Sequence, residues 1–241
     1  MAYDPHDGGP VADRPAARPV ERSGTAFQGA VWDVARESFR MHAGGEVLDR
    51  EFIRHPGAVA VVALDDRDRV RMIRQYRHPV GRELWEVPAG LLDVEGEPML
   101  DAARRELAEE ADLVAARWDV LVDFYTTPGS SSERIRVYLA RDLAEVPVDE
   151  RHHRTGEEAG MPLAWVPVAE AVEAVLSGRM RNPSTALGIL ALHAHAARGF
   201  AGLRPADAPW EPAEEMAGAT PAGDPSAPGA ATGAPGRPAA P

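Results

Sequence analysis

Residues 90–113 read GLLDVEGEPMLDAARRELAEEADL, and how this stretch folds decides the rest of the chain. It runs into Arg105, Glu106, Leu107, Ala108, Glu109 and Glu110, a set of carboxylates that a helix gathers onto one flank. At 3.6 residues per turn, Glu106 and Glu110 lie one turn apart on nearly the same face. Glu109 sits beside them, and Glu97 falls near the start of the helix. Like charges at i,i+4 destabilise an isolated helix. A chain that stacks them usually holds a cation there, and an all-oxygen cluster suits Mg²⁺ or Mn²⁺. The competing reading is a solvated helix face, in which Leu100, Ala103 and Leu107 bury as an i, i+3, i+7 stripe and the acids stay outside.

The spacing of the whole stretch resembles the Nudix box: a glycine, a spacer, a glutamate, seven residues, then Arg-Glu-aliphatic-any-Glu-Glu-any-Gly-aliphatic. Here Glu97 is followed by seven residues (98–104), then by Arg105, Glu106, Leu107, Ala108, Glu109, Glu110, Ala111, Asp112 and Leu113. Two positions depart from the pattern. Six residues rather than five separate Gly90 from Glu97, and Asp112 stands where the family has its closing glycine. Asp is one of the few residues that tolerates the left-handed conformation a helix C-terminus often needs, so the second departure is chemically mild.

Further segments are similar to the ADP-ribose pyrophosphatase branch of that family, in its actinobacterial form. They are RQYRHP (74–79), WEVPAG (85–90), TPGSSSE (127–133) and EEAGM (157–161). Pro128, fifteen residues past Leu113, matches a proline that marks the branch. The resemblance runs over residues 27–197 and implies an α/β/α sandwich with a mixed sheet. It also implies an N-terminal β-hairpin region exchanged between the subunits of a homodimer.

The resemblance assigns roles residue by residue. Glu106 and Glu110 are expected to ligate Mg²⁺ (or Mn²⁺) together with the backbone carbonyl of Ala89, and Glu97 to close the cluster. Glu109 is a ligand or orients one, and Arg105 holds the glutamates through charge-assisted hydrogen bonds. Two divalent ions about 3.5–4 Å apart could then bridge phosphate and nucleophile. In this branch the catalytic base comes from a loop beyond the box, here HHRTGEEAGM (152–161), with Glu157 as first candidate and Glu158 as second. Arg77, Arg50 and Glu51 match substrate-contacting positions, some of them supplied by the neighbouring subunit. Trp32 is a candidate for stacking on adenine, although a strand tryptophan is more often core or interface. Ser132 and Glu133 are candidates for the terminal ribose or a metal-bound water.

The expected reaction is hydrolysis of the ADP-ribose pyrophosphate to AMP and ribose 5-phosphate. Box and fold specify the chemistry and not the leaving group. Other nucleoside diphosphate sugars, oxidised nucleotides and dinucleoside polyphosphates therefore stay open as substrates. So does a non-catalytic ADP-ribose sensor on the same fold.

The bulk composition narrows the classes. With 38 acidic residues against 26 basic ones the net charge is −12, and no basic block marks a nucleic-acid binder. Cysteine is absent, which excludes disulfides and thiolate chemistry and fits a cytoplasmic protein. No apolar run reaches the length of a membrane span. His152 and His153 are adjacent and point apart in an extended segment, so they make a poor metal pair.

Along the 241 residues, 1–22 read as a disordered leader, 23–203 as the folded domain and 204–241 as an Ala/Pro/Gly-rich tail. Within the domain, strands are expected at 27–41, 46–54, 57–64, 69–75, 84–87, 119–126, 134–140 and 163–166. The 69–75 strand is expected to pair back on 57–64. Helices are expected over the box, at 168–176 and at 183–198, the last with Asn182 as N-cap and Gly199 as C-cap.

Overall fold

The apolar run at 58–63 has no polar face, so it needs cover on both sides. In the computed structural model, which describes residues 11–13, 15–156 and 160–210, this run is β4 (Ala58–Ala63), buried along its whole length. It lies between β9 (Arg134–Glu145), with which it is parallel, and β7 (Ala89–Leu91), with which it is antiparallel. β8 (Leu113–Tyr125) and the two-residue β11 (Arg204–Pro205) continue this mixed sheet in the order β11-β8-β9-β4-β7.

The two faces of the sheet are covered by different helices. Val59, Val61, Ala63, Val120, Tyr138 and Ala140 pack under α1 (Met99–Ala111), which presents Ala103 and Leu107. Ala60, Val62, Leu121, Val137 and Leu139 face the other way, onto Ala171 of α2 (Val168–Leu176) and Ile189 and Leu192 of α3 (Pro183–Ala196). The alternation along β4 thus sorts its side chains between the two helical layers, and the expected α/β/α sandwich results.

Two further sheets complete the described residues. β5 (Arg69–Arg77) pairs antiparallel with β6 (Arg82–Glu86) and with β10 (Leu163–Pro167). β1 (Val20–Phe27), β2 (Asp33–Arg40) and β3 (Val47–Arg54) form an antiparallel N-terminal sheet whose first strand is exposed throughout. That sheet meets the sandwich where Ile53 pairs with the 130–132 loop, giving N–H to Ser130 and accepting from Ser132 at 2.9 and 3.0 Å.

Several expectations are corrected here. The strand at 69–75 does not zip back along β4; apart from one bridge between Leu64 and Val70, the two strands join different sheets. Asp65 explains the break, because its carboxylate caps the backbone N–H groups of Arg67 and Arg69 and pairs with the Arg69 side chain. The N-terminal strand expected at 27–41 begins only at Asp33, as β2; β1 precedes it, with the Gly29 N–H held by the Asp33 carboxylate in the turn between them. β1 begins at Val20, inside the stretch read as leader.

At the other end, residues 204–210, read as tail, lie against the sandwich. Buried Arg136 pairs with Asp123 at 2.8 Å and donates to the carbonyls of Ala208 and Pro209. The Trp210 ring meets Tyr125 edge to face at 5.9 Å, with the guanidinium groups of Arg134 and Arg136 over it. Asn182 caps α3 as expected, its Oδ1 accepting from the Thr185 N–H at 2.9 Å, while the helix stops two residues early at Ala196. Among the described residues no helix is long and apolar enough to cross a membrane.

Candidate active site

The box acids are not on a solvated flank. Glu106 and Glu110 are only 9 and 4% exposed, on the side of α1 that faces β7. The glycine opposite makes this approach feasible: a Cβ on Gly90 would lie 2.0 Å from Glu106 Oε1. One residue earlier, the Ala89 N–H donates to Glu110 Oε2 at 2.8 Å. Both glutamates are therefore seated against a short piece of backbone, Ala89-Gly90.

Arg105 gathers the remaining acids. Its Nε and Nη2 reach the two oxygens of Glu97 at 3.1 and 2.9 Å. Its Nη1 donates to Glu106 Oε1 at 2.5 Å and stands 3.5 Å from Glu109 Oε2. The bidentate hydrogen bonds with Arg105 hold the Glu97 carboxyl below its usual range. The same bonds hold the guanidinium above its own usual value. Glu97 is thus engaged with Arg105 through both oxygens.

Backbone support comes from further away in the chain. The Val87 N–H, which precedes Pro88-Ala89-Gly90, donates to Thr185 Oγ1 at 3.0 Å in the first turn of α3. The Pro88 carbonyl accepts from Val61 of β4 at 2.8 Å. Next to them, Arg77 of β5 grips Glu86 of β6 with two hydrogen bonds of 3.0 and 2.7 Å. Glu86 is 2% exposed, so this expected substrate contact is oriented by a buried acid. Nothing in the local spacing identifies Thr185. Glu86 carries a signal in the sequence, an acid inside the apolar LWEV run.

Trp32, Ser132 and Glu133 come together around a residue that the sequence did not single out, His55. Trp32 lies on its ring at a centroid distance of 5.1 Å. Ser132 Oγ accepts from the His55 backbone N–H at 3.0 Å. The imidazole Nδ1 accepts from the Gly57 N–H, which leaves the proton on Nε2, 3.4 Å from Glu133 Oε1. Burial lowers the His55 pKa, opposed by the Glu133 charge. Glu133 Oε2 accepts from Thr126 Oγ1 at 2.6 Å, so its carboxylate is held at both ends.

Arg50 and Glu51 are not brought to the box glutamates within this chain. Both lie on the N-terminal sheet, where Glu51 pairs with Arg36 at 2.9 Å and Arg50 donates to the Asp49 carbonyl. Glu157 and Glu158, the expected base and its alternative, lie outside the described residues.

Whether such a site suits a divalent ion depends on its donors. Among the described residues no three His, Cys, Asp or Glu side chains are grouped so as to hold a metal ion between them. That suits Mg²⁺ less as a fully caged ion than as one held by one or two carboxylates, with water and substrate phosphate filling the octahedron. Glu106 and Glu110 offer two buried carboxylates beside the Ala89-Gly90 backbone, an all-oxygen donor set. The residues fit the ion that the box pattern implies.

The fold has counterparts among known proteins. The NUDIX domain model matches residues 54–186. The chain is 50% identical over 188 residues to the ADP-ribose pyrophosphatase of Mycobacterium tuberculosis, covering 78% of this chain and 88% of that one. It is 34% identical over 163 residues to the ADP-ribose pyrophosphatase of Bacillus subtilis, 68% of this chain and 85% of the relative. A methanol dehydrogenase activator of Bacillus methanolicus is 32% identical over 145 residues, 60% of this chain and 76% of that one. A crystal structure of an ADP compounds hydrolase has the same fold, with a TM-score of 0.60 at 20% identity over 78% of this chain and 100% of that chain. A domain match over more than half of the sequence, and half identity to a relative across most of its length, mean that this chain belongs to the Nudix family.

Proposed function

We propose that the protein is a Mg²⁺-dependent hydrolase that cleaves the pyrophosphate of ADP-ribose to AMP and ribose 5-phosphate. The observation that carries the chemistry is the burial of Glu106 and Glu110 against Ala89-Gly90. The substrate follows from the two ADP-ribose pyrophosphatases to which the chain is similar. When bound, divalent ions neutralise the phosphates and lower the pKa of the attacking water. Water adds to one phosphorus, the P–O bond of the bridge breaks, and the bridging oxygen leaves with the other phosphate.

The chain's residues divide the remaining work. Glu106, Glu110 and the Ala89 carbonyl hold the ions, with Glu109 at the edge of the set. Arg105 fixes their spacing, and Glu97 acts through Arg105, to which both its oxygens are committed. Glu157 takes the proton of the attacking water. Arg77, aimed by Glu86, meets the negative charge of the substrate. Trp32 offers a ring face for adenine, and Ser132 with Glu133 meets the terminal ribose or a metal-bound water. Arg50 and Glu51 enter the site of a second copy in a cytoplasmic homodimer, which accounts for their distance from the box in one chain. The protein binds neither nucleic acid nor membrane in this reading.

The test is product analysis on a panel of nucleoside diphosphate compounds with Mg²⁺, for the wild type and Glu110→Gln. Conversion of ADP-ribose ahead of the rest, with kcat reduced at least about 100-fold in the variant, is the expected result. Preference for another compound would keep the metal site and reject the substrate. Binding of ADP-ribose without turnover would turn the reading to a sensor.

A further inference from the structure

Asp112 stands where the box pattern has glycine, and its backbone supplies what the glycine would: a left-handed φ of 57° and ψ of 35°, with its N–H closing the helix on the Leu107 carbonyl. Its side chain adds a connection that glycine lacks. The carboxylate lies 2.8 Å from Arg154 Nη2, the two side chains being 12 and 18% exposed. The contact is an ion pair rather than an in-line hydrogen bond. Arg154 Nε donates at 2.9 Å to the carbonyl of Glu109. That carbonyl belongs to the last turn of α1, where intrahelical donors run out and the helix dipole favours a cation.

The same helix end is tied to β9 and the turn after it. The Asp112 carbonyl accepts from the Val146 N–H at 2.9 Å, and the Val146 carbonyl accepts from Arg151 Nε at 3.0 Å. Residues 151–154 are therefore stapled twice, by Arg151 to the end of β9 and by Arg154 to the end of the box helix. In the Arg151–Glu145 pair the carboxylate is largely exposed, so the pair contributes little. Arg154 is the shielded anchor. Arg71, stacked on Trp165 nearby, also feels the Asp112 charge. A neutral residue at 112 would leave Arg154 and Arg71 short of counter-charge.

We propose that Asp112 and Arg154 are a positioning pair that locks residues 151–154 to the turn of α1 carrying Glu109 and Glu110. The pair keeps the helix end and the chain entering the Glu157 segment in one relative placement. The inference rests on the reading of that segment as the source of the catalytic base.

The variants are Asp112→Gly, which restores the family residue and keeps the left-handed backbone, Arg154→Ala, and the two together. Kinetics use whichever panel compound the wild type cleaves best, so a wrong substrate assignment leaves the test intact. Each single variant is expected to lower kcat about ten-fold with KM within about two-fold, and the double variant to be no worse than either. Arg154→Lys, which keeps the charge but not the fork, is expected to fall between wild type and Arg154→Ala. Hydrogen exchange over residues 147–156, measured without substrate, is expected to quicken equally in the two single variants while the interior of α1 stays protected. Wild-type kcat in Asp112→Gly would overturn the proposal, as would losses that multiply in the double variant. If the wild type cleaves nothing on the panel, the proposed function fails, and the exchange experiment alone decides whether the pair holds.

Discussion

Gly90 is the residue on which the geometry of the site turns. A Cβ there would fall 2.0 Å from Glu106 Oε1 and 2.6 Å from its Cγ. The carboxylate end of a glutamate can swing away at little cost, so the burden falls on the site and not on the fold. Gly90→Ala is expected to lower kcat about 100-fold at saturating Mg²⁺ while destabilising by only about 1 kcal/mol, read from steady-state kinetics and thermal melts. Glu97 gives a pH signature with a definite sign. Its folded pKa lies below the ordinary 4.5 because of Arg105, so the unfolded chain binds more protons in that window. Its contribution is complete above the ordinary value and is lost as pH falls through the folded one. The stability difference between wild type and Glu97→Gln should therefore be full at neutral pH and shrink below about pH 4.5, as followed by denaturant melts in an acid series. At this scale much was legible in the sequence. The shared face of the box glutamates and the left-handed tolerance of Asp112 follow from residue type and helical spacing, and the part of Arg105 from the resemblance to the box. His55 and the Glu86 grip on Arg77 do not, because each is defined by a neighbour on another strand or loop.

Among the elements, the crossover from β6 to β7 decides whether the box has anything to face. It is pinned by a hydroxyl from α3, nearly a hundred residues later in the chain (Val87 N–H to Thr185 Oγ1). Thr185 is fully buried, and valine is close to it in shape. Thr185→Val is expected to leave the Val87 N–H unpaired in the interior and to cost about 1–3 kcal/mol in denaturant melts. A loss well under 0.5 kcal/mol would mean that the crossover is held by Pro88 and β4 alone. The helices at 168–176 and over the box were readable from their stops and apolar stripes. The partners of β4 were not. Alternation and burial identify a central strand, but a hairpin with 69–75 and a parallel pairing with 134–145 satisfy the same local pattern. The choice between them is made by the Asp65 turn and by helical layers that cover opposite faces.

For the whole molecule, the N-terminal sheet poses the open question of assembly. Arg50 and Glu51 are occupied there within one chain, far along the sequence from the box. If they complete a partner's site, mixing Arg50→Ala with Glu110→Gln should restore activity, because each mixed dimer regains one intact site. Random exchange would return about a quarter of the wild-type sites, measured as kcat per subunit after subunit exchange. No recovery would place the working site within a single chain. By itself, the sequence determined which carboxylates share a helical face and the family to which that spacing belongs. These are short-range properties, set by residue type and the period of the helix. Tertiary structure alone decided what those carboxylates face, which arginine each acid holds, and that residues 204–210 fold back under Arg136. Such contacts join residues distant in the chain. They are selected by burial on both faces of one mixed sheet, a constraint that no local pattern carries.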